Sequence, residues 1–87
     1  MENLEIILKQ EKNPYTKQLE PIIFFRDIKH LKGNKIECFD GCHEEATLNY
    51  FWNCKPATIK ECENLLKTFK SLYNDKNISI KKRLTFK

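Results

Sequence analysis

Residues 58–74 read TIKECENLLKTFKSLYN, and the fold class turns on how much of this run is helix. Thr58 followed three residues later by Glu61 is a capping box. The threonine hydroxyl accepts from the N3 amide, and the carboxylate reaches back to the cap. Cys62, Leu65, Leu66, Phe69, Leu72 and Tyr73 then recur at helical spacing, with Lys60, Lys67, Lys70 and Ser71 on the opposite face. Pro56-Ala57 stops what precedes, and Asn74-Asp75 closes the run. The spacing predicts one long amphipathic helix (58–74) packed by one face on another layer.

That layer reads as a sheet. Leu4, Ile6 and Leu8 alternate with Glu5 and Lys9, with Ile7 breaking the pattern, and Asn13-Pro14 marks a turn. PIIFFRDI, from Pro21, is an apolar run of the kind covered on both faces, with proline at its first position, where a missing N–H is tolerated. Lys32-Gly33-Asn34 signals a turn into KIECF, so 21–39 is expected as a hairpin with a long loop. HEEATLNYFWNC, 43–54, fits both periods. Its aromatic and β-branched content favours a strand, while Glu44 and Glu45 suit the first turn of a helix. ISIKKRLTF closes the chain as a strand, with Ile78, Ile80, Leu84 and Phe86 on one side and Lys82 intruding on that side. The expected architecture is α+β: a small, mostly antiparallel sheet, the long helix 58–74 on one face, and a C-terminal strand.

At 87 residues the chain is one domain, 1–87, with a modest core. It is 40% hydrophobic and 32% charged, which excludes intrinsic disorder, and two glycines with three prolines leave no room for a flexible linker. MENLEIILKQEK lacks a basic region ahead of its apolar residues, and the longest apolar run, Ile22 to Phe25, is far too short for a bilayer. A cytoplasmic protein without membrane attachment is therefore expected. Four cysteines in that setting read as thiols or metal ligands rather than a disulfide framework.

Two features compete as sites. The first is CFDGCHEE, 38–45, whose Cys38, Cys42 and His43, with Cys54 and Cys62 further on and His30 in reserve, are the candidate zinc ligands. The C-x3-C spacing departs from the common C-x2-C knuckle, so the expectation is no cofactor: a turn at Asp40-Gly41 beside buried thiols, with zinc as the alternative. Adjacent Cys42 and His43 do not make a catalytic pair, because a base must approach its nucleophile in space. No phosphate loop, hydrolase elbow or cofactor fingerprint is present, and no enzyme is expected.

The second is a contact surface. The net charge of +4 gathers in residues 46–87, which carry nine basic and three acidic side chains. Lys67, Lys70, Lys81, Lys82 and Arg83 are expected to form one basic patch, and Tyr50, Phe51 and Trp52 to supply contact anchors. A compact, lysine-rich chain without catalytic motifs is the kind of accessory protein that phages and mobile elements carry to bind and block a host component. The expected function is a small regulatory or inhibitory module that binds a partner protein or a protein–nucleic-acid complex. The alternative is a nucleic-acid-binding module using the basic patch, with or without a Cys/His zinc site. An edge strand would also allow a homodimer.

Overall fold

Strand β1, Glu2–Lys12, buries Leu4, Ile6, Leu8 and Gln10 on alternating positions, and Ile7 between them is buried as well. A strand buried on both sides must lie inside a sheet with both faces covered. The computed structural model, which describes residues 2–26 and 31–83 (backbone alone at 31 and 32), has that arrangement. β1 pairs antiparallel with β2, Leu19–Phe25, in a register that sets Ile6 against Phe25 and Leu8 against Ile23. The hairpin between them is locked by Asn13, whose side-chain oxygen accepts from the amides of Tyr15 and Thr16 at 2.8 and 3.2 Å.

β3, Leu31–Lys32, turns through Gly33, whose φ of 65° suits a residue without a Cβ, into β4, Lys35–Phe39. β4 pairs antiparallel with β2 and β3, as the hairpin reading of 21–39 requires. β5, His43–Thr47, then folds back antiparallel on β4. The undecided stretch is therefore both elements in succession. It is strand to Thr47 and helix α1 from Leu48 to Asn53, so the strand preference fails for its second half. The switch falls at Thr47, whose hydroxyl accepts from the Tyr50 amide at 3.1 Å and caps the helix. β6, Lys55–Pro56, pairs briefly with β1.

The long helix expected over 58–74 is absent. Residues 59–62 form turns, and α2 runs only from Glu63 to Leu72. The capping box does form. The Glu61 amide donates to the Thr58 hydroxyl at 3.2 Å, and Glu61 accepts from the Thr58 amide at 3.0 Å. It closes a turn in which the Cys62 amide is shared between the Thr58 and Ile59 carbonyls, both at 3.2 Å, and the Glu63 amide donates to the Lys60 carbonyl at 3.3 Å; the turn ends at fully buried Cys62. There the backbone leaves helical geometry, at φ −102° and ψ 10°. Apolar spacing cannot separate a tight turn from a first helical turn, since both present the same side chains.

The last strand, β7, runs Lys76–Lys81 and ends before Lys82, which is exposed, while Leu84 and Phe86 lie outside the described residues. It pairs parallel with β1, Leu4 against Ile78 and Ile6 against Ile80. Alternation then divides the core in two. Leu4, Ile6, Leu8, Ile23, Phe25 and Phe39 face α2, through Cys62, Leu66 and Phe69. Ile7, Ile22, Phe24, Ile36 and Cys38 face α1, through Phe51 and Cys54. The sheet thus carries a short helix on each face, not one long helix on one face. No helix among the described residues is long and apolar enough to cross a membrane.

Candidate functional site

Consecutive residues of a helix point about 100° apart, so α1 splays the three aromatics that a strand would have alternated. Phe51 is 1% exposed, meets the Phe24 ring edge-on at 4.9 Å, and is core. It is not available as a contact anchor. Trp52 is 59% exposed, and Tyr50 is half-buried against Phe24. Burial, then a hydrogen bond to Glu11, pushes the Tyr50 phenol well above its ordinary range, so it stays protonated.

The expected single basic patch is divided. Lys67 and Lys70 lie exposed on α2, and Lys70 shares a depression with Tyr73, Lys76 and Ile78 at the start of β7. Lys81, Lys82 and Arg83 stand at its other end, about 15 Å away at the rise of a strand. That end is anchored. Arg26 Nε donates to the Arg83 carbonyl at 2.7 Å, and Glu5 holds Arg26 at 2.8 Å and Lys81 at 3.7 Å.

Beside Lys81 the sheet edge has a gap. On this side β1 is covered by β7 as far as Ile7 and by β6 from Lys9, and between them lies a groove of about 680 Å³. Its floor is Ile7 and Leu8, its walls Pro56 to Ile59 and Ile80, and its rim Lys9, Lys81 and Lys82. Ile59 is 60% exposed and lines the groove together with Lys9, Lys81 and Lys82. Lys9 is pinned by the Cys54 carbonyl at 3.5 Å and lies 4.5 Å above the Phe51 ring, which ties the groove to α1. Glu61 stands behind the wall residue Thr58. Hydrogen bonds from Thr58 hold its carboxyl below the usual range, so the wall keeps one fixed negative charge. Sequence reasoning named Lys81 and Lys82 but missed Lys9 and Ile59. Lys9 reads as the polar side of a strand. Ile59 sits three residues before Cys62 and seven before Leu66, in line with the apolar stripe, so its spacing reads as buried and gives no signal of exposure.

The CFDGCHEE residues separate across the sheet. Cys38 is buried on the α1 face with Cys54. His43 is on the α2 face, where its Nε2 lies 2.7 Å from the Tyr73 hydroxyl and its ring stacks parallel to that of Phe25. Cys62 is buried on that second face, and Cys42 is exposed in the turn, its amide 3.4 Å from Asp40. Cys38, Cys42, His43 and Cys54 therefore do not converge, and no group of three or more metal-ligating side chains gathers among the described residues. His30 lies outside them. Burial, helped by Asp40 and Glu44, pushes the Cys38 thiol up to about 11, and burial raises Cys54 and Cys62 too. Buried thiols held protonated are poor nucleophiles and poor ligands.

The chain matches no family model, and neither the curated proteins nor the solved structures give a match.

Proposed function

We propose that this chain is a non-enzymatic binding module that holds an acidic, apolar-anchored segment of a partner protein in the edge groove, and so blocks or modulates that partner. The observation that carries this reading is the pairing of exposed Ile59 and Ile80 with Lys9, Lys81 and Lys82 around one open groove. An apolar floor supplies affinity, and a basic rim selects and steers an acidic ligand. Panning the immobilised chain against a displayed peptide library tests it. Enriched peptides should carry Asp or Glu beside Leu, Ile or Phe, and Ile59→Asp or Lys82→Glu should weaken their capture about tenfold or more. Peptides without acidic bias, or capture indifferent to both substitutions, would sink the proposal.

Exposed Trp52 favours a second reading, a single-stranded nucleic acid tracking the same lysines with a base stacked on the indole. Because the chain has one tryptophan, its fluorescence reports on that position alone. Quenching by an oligothymidine that fades steeply with salt would favour this reading over the peptide.

A further inference from the structure

Each strand has two sides, and the registers assign them. β4 carries β5 on one side and both β2 and β3 on the other. β1 carries β2 on one side and both β7 and β6 on the other. The order across the sheet is thus β5–β4–β2–β1–β7, and neither outer strand has a further strand partner among the described residues. The two open edges differ in sign. β5 exposes Glu44 and Glu45, with Glu37 across from Glu45. β7 ends in exposed Lys81 and Lys82.

Strand direction completes the argument. β5 is antiparallel to β4, β4 to β2 and β2 to β1, while β7 is parallel to β1. β5 therefore runs opposite to β7. A second copy that continued the same sheet would bring its β5 beside β7 in antiparallel pairing, the more stable kind. Faces also agree. Glu44 pairs with Cys38 on the α1 face, and Lys81 pairs with Ile7 on that same face.

We propose that the protein self-assembles head to tail, the acidic β5 edge of one copy adding to the basic β7 edge of the next. Setting Glu44 opposite Lys81 places Lys82 diagonal to Glu45, within reach of a cross-strand ion pair. Like-to-like docking is disfavoured, since β5 on β5 opposes carboxylates and β7 on β7 opposes ammonium groups. Lys81 is free to turn outward. Its tie to Glu5 is 3.7 Å, and Glu5 already holds Arg26 at 2.8 Å. Such a contact is heterologous and does not close on a two-fold axis, so assembly continues along the sheet with a twist of about 100° per copy. This inference stands apart from the groove's partner, although a docked copy draws on Lys81 and Lys82 as well.

Sedimentation velocity on the full chain tests it. At about 50 mM salt the sedimentation coefficient should climb with concentration, and at about 500 mM the association should weaken at least tenfold. Glu44→Lys with Glu45→Lys, and Lys81→Glu with Lys82→Glu, should each be monomeric. Mixed in equal amounts they should associate again and build beyond a dimer, because the native edges of the two variants complement each other and so do the two reversed edges. Circular dichroism checks that the variants fold. If the carboxylate that Lys81→Glu sets beside Glu5 disturbs the fold, Lys82→Glu alone replaces the second variant. A wild-type chain that stays monomeric at low salt overturns the proposal. So does association that survives either charge reversal, or a mixture of folded variants that stays monomeric. The groove reading is judged separately, since Glu44→Lys with Glu45→Lys should still capture the acidic peptides.

Discussion

Thr47 and Thr58 perform the same local task, and only one could be read from spacing. Thr58 is followed by Glu61, the reciprocal partner that makes a capping box visible. Thr47 is followed by Tyr50, so nothing marks it as a cap. Thr47→Ala should cost about 1 kcal/mol in urea denaturation, since it leaves the Tyr50 amide without its acceptor. Glu61 makes a prediction in pH. Its carboxyl is held lower in the folded chain than its ordinary value of 4.5, so the native state favours the ionised form. The resulting stability is present above the ordinary value and is lost as pH falls through the folded one. Glu61→Gln should flatten that part of the acid limb in pH-dependent denaturation. The thiols make a third prediction. Under native conditions at neutral pH, iodoacetamide should modify exposed Cys42 alone, with Cys38, Cys54 and Cys62 reacting after unfolding, as peptide mass spectrometry would show.

Among elements, 43–54 carries the most instruction, because one stretch holds two periods. Ala46, Leu48, Tyr50 and Trp52 look like one side of a strand only while the backbone is extended. Once it coils at Thr47, the apolar burden falls on Phe51. At six residues α1 is too short to be stable alone and depends on that one anchor. Phe51→Ala should therefore cost about 3–5 kcal/mol, enough to threaten the whole fold, whereas Trp52→Ala should cost under about 1 kcal/mol. Equal effects in thermal or urea melts would mean that the aromatics are not arranged as described. The strands at 4–8, 21–25 and 35–39 were legible because turn residues bound them and hydrophobic runs fill them. The length of α2 was not, because burial of Cys62 repeats the helical spacing while its backbone departs from it. The second helical face was hidden for a related reason. Ile7, which interrupts the alternation of β1, is the residue that reaches it.

At the scale of the whole molecule, charge is arranged by sheet edge rather than by half of the sequence. The basic excess of the C-terminal half was legible, yet β7 and α2 carry it to different places, and the groove borrows Lys9 from the opposite end of the chain. Only the topology could bring Lys9 to Lys81, because pairing across the sheet leaves no periodic trace in sequence. The topology has a kinetic side too. β1 meets β2 through a short hairpin, but its other side is completed by β7, with 74 residues separating Glu2 from Lys76. Closing so long a loop is entropically expensive and comes late in folding. Pulse labelling during refolding should protect the amides of Ile23 and Phe24 before those of Ser79 and Lys81, which face β1. On the ribosome the same geometry means that β1 emerges well before β7 and waits with one side unmatched until residues 76–81 arrive. For that interval the growing chain presents a bare, strongly apolar strand, and a chaperone that recognises such strands should hold it longest.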